Sequence, residues 1–298
     1  MSDDNSISAV NLSGLSKPIN TLIEKISGAI EGGCKPWQIK RVAKAEAAAE
    51  LIHAENEIAI SELELRAMRR FVSEEAKKQA NMESIAEKAF PKLQADTDAN
   101  KMDDDWVVNF FEKCRVVSSE QMQELWAKIL AGEANSPGSV SKRAINLLSD
   151  MDQSEAETFQ TLCRFAVLID ENVVPFVDED EGIYENTGLY FEDLAHLDSI
   201  GLLHYDAFAG FNQRNVPESF VLEYFGTVIQ CTLYSSDDYK YVTSTDHKQS
   251  IPIGYAIFTA PAIELMKFCT PTPVDGFVEY LVHRWKNHSP VVVNPDQK

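Results

Sequence analysis

Residues 125–151 read LWAKILAGEANSPGSVSKRAINLLSDM, and this stretch decides how the helical part of the chain folds. Apolar residues recur at three- and four-residue spacing up to Gly132 and again from Val140, which predicts two short amphipathic helices. Pro137 and Gly138 between them are typical of a turn, because proline presets its backbone angle and glycine tolerates a left-handed one. The stretch is therefore predicted to form a corner between two helices of a small bundle.

Similar helices are predicted on both sides of this corner. The run Asp103, Asp104 and Asp105 is expected to cap a helix before it, and Asp152 or Ser154 the helix after it, because short polar side chains accept hydrogen bonds from free backbone N–H groups. With these helices, the sequence predicts a helical core over residues 103–168. Residues 91–102 carry no helical pattern and are predicted to be a linker.

The N-terminal part of the chain is predicted to form an extended arm. Residues 1–16 are polar and are expected to be disordered, while residues 17–90 are predicted to form an amphipathic helix followed by a long helix. A hydrophobic series at seven-residue spacing indicates an oligomer seam, formed by Leu51, Ile58, Leu65 and Val72. Two interpretations of this seam stay open, a coiled coil with a second copy and folding back on the same chain.

Residues 17–44 are the strongest candidate for an interaction surface in the sequence. One face is aliphatic, and six Lys and Arg residues stand against two Glu residues. A basic amphipathic helix suits an anionic lipid surface, and the same apolar stripe suits a protein partner. The candidate interaction residues are Ile19, Leu22, Ile23, Ile26, Ile30, Trp37, Lys40 and Arg41.

Residues 169–298 are predicted to form an acidic domain that mixes strands and helices. Runs of β-branched and aromatic residues predict strands, for example over 228–234 and 251–259, and short helical patterns lie between such runs. A helix over 153–168, a helix over 190–200, a hairpin and a closing helix follow one another in the order of a winged-helix module with an enlarged wing. The predicted class is α+β, with a long N-terminal helical arm, a small helical bundle and a C-terminal winged-helix-like α/β domain.

Charge is distributed unevenly along the chain, whose formal net charge is −20. Residues 12–80 carry 11 Lys and Arg against 10 Asp and Glu, whereas residues 150–298 carry 8 against 24. An acidic surface repels phosphate backbones, so the charge argues against nucleic acid as a partner. We expect a homo-oligomer that also binds a protein partner or a membrane surface through residues 17–44.

The sequence contains no motif that indicates a reaction. Glycine-rich phosphate loops, serine elbows and HExxH zinc helices are absent, and the five cysteines are scattered without a CxxC pair. We therefore predict no catalytic residue, no cofactor and no metal site. The acidic run 178–181 is predicted to be a solvated turn and not a calcium site, Trp126 a core residue, and Lys142 with Arg143 part of a solvated helix face.

The chain opens without a signal-peptide pattern. No run in it approaches the roughly 18 apolar residues that a membrane-spanning helix requires. We expect a cytoplasmic protein that is either soluble or bound peripherally at the inner membrane.

Five segments in this order resemble the bacterial domain of unknown function 2806 family over about residues 14–165: KPINTLIEKISGAI, PWQIKRVAKAEAAA, NMESIAEKAF, DDDWVVNFFEKCRVVSSEQMQELWAKILAGE and PGSVSKRAINLLSDMDQSEAETF. The LWAKILAGE segment and the helix after it are also similar to a helical unit of abortive-infection alpha proteins, which are associated with resistance to phage. The second resemblance implies a role in phage defence. Together with the uneven charge and the lack of a reaction motif, it leads us to predict a non-catalytic interaction protein. A winged-helix transcription regulator and an enzyme whose site is not visible in the sequence stay open as alternatives.

Overall fold

The computed structural model divides the chain into two compact units, Met1–Ser149 and Asp150–Lys298. Helices make up the first unit, and an antiparallel sheet with helices makes up the second, so the predicted α+β class is confirmed. The structure describes residues 16–30, 62–178, 181–233, 250–288 and 291–294. The predicted disordered segment 1–15 and the arm residues 31–61 lie outside this part of the chain.

The first unit is built from five described helices around an aromatic core. They are α1 (Lys17–Ala29), α2 (Glu62–Ala89), α3 (Asp104–Cys114), α4 (Glu120–Asn135) and α5 (Lys142–Asp150). Helix α2 packs along α4, and α1 packs against α3. The predicted cap is confirmed, because the Asp103 carboxylate accepts the Trp106 N–H at 2.8 Å. The rings of Phe110 and Trp126 meet edge to face in the core at 5.1 Å, a favourable aromatic geometry.

Residues 91–102, predicted to be a linker, are packed into the first unit. Short 3-10 turns at Phe90–Lys92 and Ala99–Lys101 shape the segment. Asn135 of α4 holds it by accepting the Gln94 N–H at 3.0 Å and donating to the Lys92 carbonyl at 3.1 Å. The linker interpretation is corrected because side chains inside the segment are buried, among them Thr97, Ala99 and Met102.

The second unit begins with a helix that the sequence assigned to the helical core 103–168. Its helices are α6 (Gln153–Cys163), α7 (Glu181–Glu185), α8 (Phe191–Ser199), α9 (Ala260–Met266) and α10 (Phe277–His288). Its strands are β1 (Ala166–Ile169), β2 (Asn172–Pro175), β3 (Leu203–Tyr205), β4 (Phe211–Arg214), β5 (Ser219–Tyr224), β6 (Thr227–Leu233), β7 (Ser250–Gly254), β8 (Ala256–Phe258) and β9 (Val291–Asn294). Asp152 caps α6 as predicted, by accepting the Glu155 N–H at 2.9 Å.

Three antiparallel sheets organise the strands that the structure describes. The main sheet has the order β2-β1-β5-β6-β9, while β3 pairs with β8 and β4 pairs with β7. The sequence predicted one strand over 251–259, and the structure has two. Gly254 ends the first of them, with a φ of +94° that places it in the left-handed region favoured by glycine.

Candidate interaction surfaces

The first half of α2 carries large apolar side chains that are exposed to solvent. Leu63, Met68 and Phe71 are 68%, 45% and 63% exposed. A helix with apolar residues on a solvent-facing surface is typical of a site that packs against another helix. We call these three residues, with Ala67 between them, the α2 stripe.

The α2 stripe continues the face by which the same helix packs into the first unit. Eighteen residues make five turns of an α-helix, so Leu63 lies in line with Asn81, and Phe71 in line with Ala89. Asn81 and Ala89 are buried against the rest of the unit. One face of α2 is therefore covered in its second half and uncovered in its first.

The predicted seam falls partly on this exposed half of α2. Leu65 and Val72 are partly exposed there. Leu51 and Ile58 lie outside the described residues. The α2 stripe and the described half of the seam lie on the same half-helix, which also carries many charged residues.

Charges along the same half-helix alternate in blocks. Two acids come first (Glu62, Glu64), then three bases (Arg66, Arg69, Arg70), then two acids (Glu74, Glu75) and then two bases (Lys77, Lys78). Neighbouring blocks form ion pairs along the helix, between Arg70 and Glu74 at 3.4 Å and between Lys78 and Glu75 at 2.6 Å. Exposed pairs of this kind stabilise a helix only slightly.

The apolar stripe of α1 is used inside the first unit, which corrects its interpretation as a free interaction surface. Leu22, Ile23 and Ile26 are buried, and the helix packs against α3 and the turn Ala99–Lys101. Burial in the core accounts for this stripe without a membrane or a partner. Ile19 and Ile30 are partly exposed at its ends, and Trp37, Lys40 and Arg41 lie outside the described residues.

The stretch that decides the helical fold is a structural corner, as predicted. The buried carboxylate of Glu133 accepts the backbone N–H of Gly138 at 2.6 Å and that of Val140 at 2.9 Å. Burial raises the pKa of Glu133, against the effect of these hydrogen bonds. One acid therefore holds the turn between α4 and α5.

The ligand-binding alternatives for this corner find no support in the contacts. Trp126 is fully buried, as the core interpretation requires. Lys142 lies 3.5 Å from the carboxylates of Asp103 and Asp105, so its charge is directed toward acids of the protein itself. Arg143 is exposed on the helix surface.

An ion pair corrects the prediction of a solvated turn for Asp178, the first residue of the acidic run 178–181, while residues 179 and 180 lie outside the described part of the chain. The side chain of Asp178 is 8% exposed, and it accepts from both Nε and Nη2 of Arg284 in α10, the latter at 2.8 Å. Its backbone N–H donates to the hydroxyl of Tyr184 at 3.2 Å, and that hydroxyl donates to the Phe176 carbonyl at 3.1 Å. Burial raises the pKa of Tyr184 far above its ordinary value, so the phenol stays neutral.

Two clefts open on either side of Asp178 in the second unit. The larger, of about 440 Å³, is lined by residues of α7, α8 and β3, and the smaller, of about 200 Å³, by Arg284 and residues of β4 and β7. Neither cleft follows from a sequence motif, because their residues come from segments that are far apart in the chain. Within the described ranges, no group of three or more His, Cys, Asp and Glu side chains has the arrangement of a metal site.

Comparison with known proteins identifies the family of the chain. No curated protein and no solved structure matches it. Of the described helices, none is both long and apolar enough to cross a membrane. The sequence profile of the family described as "Protein of unknown function (DUF2806)" matches residues 65–282. The match includes most of the second unit and the last three of the five segments that carried the resemblance, while the first two segments lie before it. The chain belongs to this family.

Proposed function

We propose that the protein is a non-catalytic interaction protein that assembles with a second copy of itself through the α2 stripe. The observation that carries this proposal is the continuity of one helix face, buried from Asn81 to Ala89 and exposed from Leu63 to Phe71. Exposed Leu and Phe side chains cost free energy in water, about 1.5–3 kcal/mol each relative to burial. A second helix on the stripe recovers that free energy.

The order of charges along α2 indicates how two copies pair. In a parallel pair in register, each charged block faces the same block of the other copy, which is unfavourable. In an antiparallel pair, Glu62 and Glu64 face the Lys77 and Lys78 block, and the Arg66 block faces the Glu74 block. Opposite charges beside a hydrophobic seam set partner and orientation in helix pairs. The proposed assembly is therefore an antiparallel dimer.

Charged substitutions in the stripe test the assembly. We expect the wild-type chain to have the mass of a dimer by light scattering at micromolar concentration. The double substitution Met68→Glu and Phe71→Glu is expected to give the mass of a monomer, because a carboxylate in an apolar seam is costly.

The matched control is Val116→Glu, which places the same charge on another exposed apolar residue of the first unit, 66% exposed. This variant should keep the mass of the wild-type chain. A monomeric wild-type chain, or a double variant that stays dimeric, would contradict the proposal.

The winged-helix alternative is favoured by the order of elements but not by charge. Helices α6 and α8 precede the paired strands β3 and β8, with the β4–β7 ladder between these strands as an extension of the wing. Helix α8 would be the recognition helix, and it carries Glu192, Asp193 and Asp198 and no Lys or Arg. Such an acidic helix is repelled by the phosphates that border a DNA groove. We therefore propose a protein, and not DNA, as the partner.

The setting of the interaction is proposed to be phage defence. This part of the proposal rests on the resemblance of the α4 segment to abortive-infection alpha proteins. Phage plating on a bacterial host that expresses the wild-type chain should fall relative to the empty host. If assembly is required for defence, the host that expresses the Met68→Glu, Phe71→Glu variant should plate phage as the empty host does. Equal plating of a broad panel of phages on all three hosts would contradict the defence proposal.

A further inference from the structure

The larger cleft of the second unit is lined by aromatic rings and acids. Its rings include Tyr190, Phe191, Tyr205 and Tyr255, and the described residues that line it include no Lys, Arg or His. A volume of about 440 Å³ is within the range of sites that take a ligand or a side chain. We call it the aromatic cleft.

Two carboxylates give the aromatic cleft its negative charge. Asp178 also lines it, but Arg284 already neutralises that charge. Glu185 and Glu192 line the cleft and are exposed. The ion pairs seen among the described residues do not include either of them. The cleft thus presents acidic charge beside ring faces.

The aromatic residues are held in place before any ligand arrives. The Asp193 carboxylate accepts the Tyr190 N–H at 2.9 Å, which fixes the start of α8. The rings of Phe191 and Tyr205 meet edge to face with centroids 5.6 Å apart. A site whose rings are fixed in advance loses less conformational entropy on binding.

An exposed phenylalanine stands beside the cleft. Asp206 accepts the backbone N–H groups of Phe208 and Ala209, both at 3.0 Å, and these hydrogen bonds lower the pKa of Asp206. The turn they form leaves Phe208 99% exposed, next to the cleft residue Ala207. A single exposed ring is common on protein surfaces, but this ring lies beside the aromatic cleft, where it adds apolar surface to the rings of the cleft.

We propose that the aromatic cleft binds an arginine side chain presented by a segment of a partner protein, and that Phe208 contacts an apolar residue of the same segment. A guanidinium stacks on aromatic faces and pairs with carboxylates through its planar donors. The cleft supplies both kinds of contact, with Phe191 and Tyr205 as rings and Glu185 and Glu192 as acceptors. The net acidic charge of residues 150–298 adds long-range attraction for a basic partner.

The probe is a library of fluorescein-labelled nonapeptides with a central arginine and randomised flanks, with binding to the full-length protein measured by anisotropy. We expect a subset to bind and to lose at least about tenfold in affinity when the arginine is replaced by citrulline, which keeps the shape and removes the charge. The variants Glu192→Gln and Phe191→Ala should each cause a similar loss.

Glu223→Gln is the matched control, since it removes one exposed acid from β5, outside the cleft. This variant should bind as the wild-type chain does. The proposal is overturned if no library peptide binds the wild-type chain more tightly than it binds the Glu192→Gln and Phe191→Ala variants. It is also overturned if the citrulline peptides bind the wild-type chain with the same affinity as the arginine peptides. Light scattering of the same variants should show an unchanged mass, which separates this proposal from assembly through α2.

Discussion

Gly254→Ala is expected to be among the most destabilising single substitutions in the second unit. A Cβ on Gly254 would lie 2.1 Å from the carbonyl oxygen of Val177, so backbone must move on one side. The φ of +94° adds strain for any residue with a side chain. Left-handed strain of about 1–2 kcal/mol and overpacking of about 1–3 kcal/mol together lower the free energy of unfolding by roughly 2–5 kcal/mol.

Gly226→Ala separates the two contributions to this loss. Gly226 has a φ of +80°, and a Cβ there meets no atom within 4 Å. The Gly226→Ala variant should therefore lower the free energy of unfolding only by the strain contribution of about 1–2 kcal/mol. Urea unfolding gives the two losses, and hydrogen exchange of peptides from residues 150–298 locates them. Equal losses for the two variants would show that the close approach of Val177 and Gly254 is unimportant.

Glu133→Ala is expected to destabilise the first unit by about 2–4 kcal/mol at neutral pH. The substitution removes the acceptor of the Gly138 and Val140 N–H groups, which then lie in the corner without a partner. Glu87→Ala is the control, because Glu87 is exposed on α2 and should change stability by no more than about 0.5 kcal/mol. Urea unfolding of the three chains measures the difference. Similar values for the two variants would contradict the role given to Glu133.

The effect of Glu133→Ala should also depend on pH. The pKa of Glu133 is raised from its ordinary value of 4.5 by burial, so the folded chain binds this proton more tightly than the unfolded chain. The stabilisation linked to that proton is complete below the unfolded pKa and is lost as pH rises through the folded pKa. The difference in unfolding free energy between wild type and variant should therefore shrink from pH 4 toward pH 7. A difference that grows with pH would contradict this assignment.

Sequence reasoning predicted local structure well where the signal was local. The cap at Asp103, the corner at Pro137 and Gly138, and the cap at Asp152 all depend on residues a few positions apart, and all three are present. Segment 91–102 was misinterpreted because its fixed position depends on Asn135, which lies about 40 residues away. A sequence pattern that spans a few residues cannot indicate a contact between residues so far apart in the chain.

The candidate sites were predicted less well, for the same physical reason. The apolar stripe of α1 was interpreted as an interaction surface, because helical periodicity shows which face of a helix is apolar but not what packs on that face. Asp178 was placed in a solvated turn because its partner, Arg284, is 106 residues away. The aromatic cleft joins residues from 177 to 255. The signal that pointed toward it was the acidic charge of residues 150–298, which is a property of the whole segment.

The distances along the chain between contacting residues also bear on the order of folding. In the first unit, Asn81 reaches Arg115 over 34 residues and Ser84 reaches Gln123 over 39. In the second unit, Arg164 reaches Thr272 over 108 residues. Long-range contacts slow folding, because the loop must close before any contact stabilises it. We therefore expect the helical unit to acquire most of its native contacts before the second unit does. The strands of the second unit would lack their partners during that interval, when a chain is most prone to aggregate.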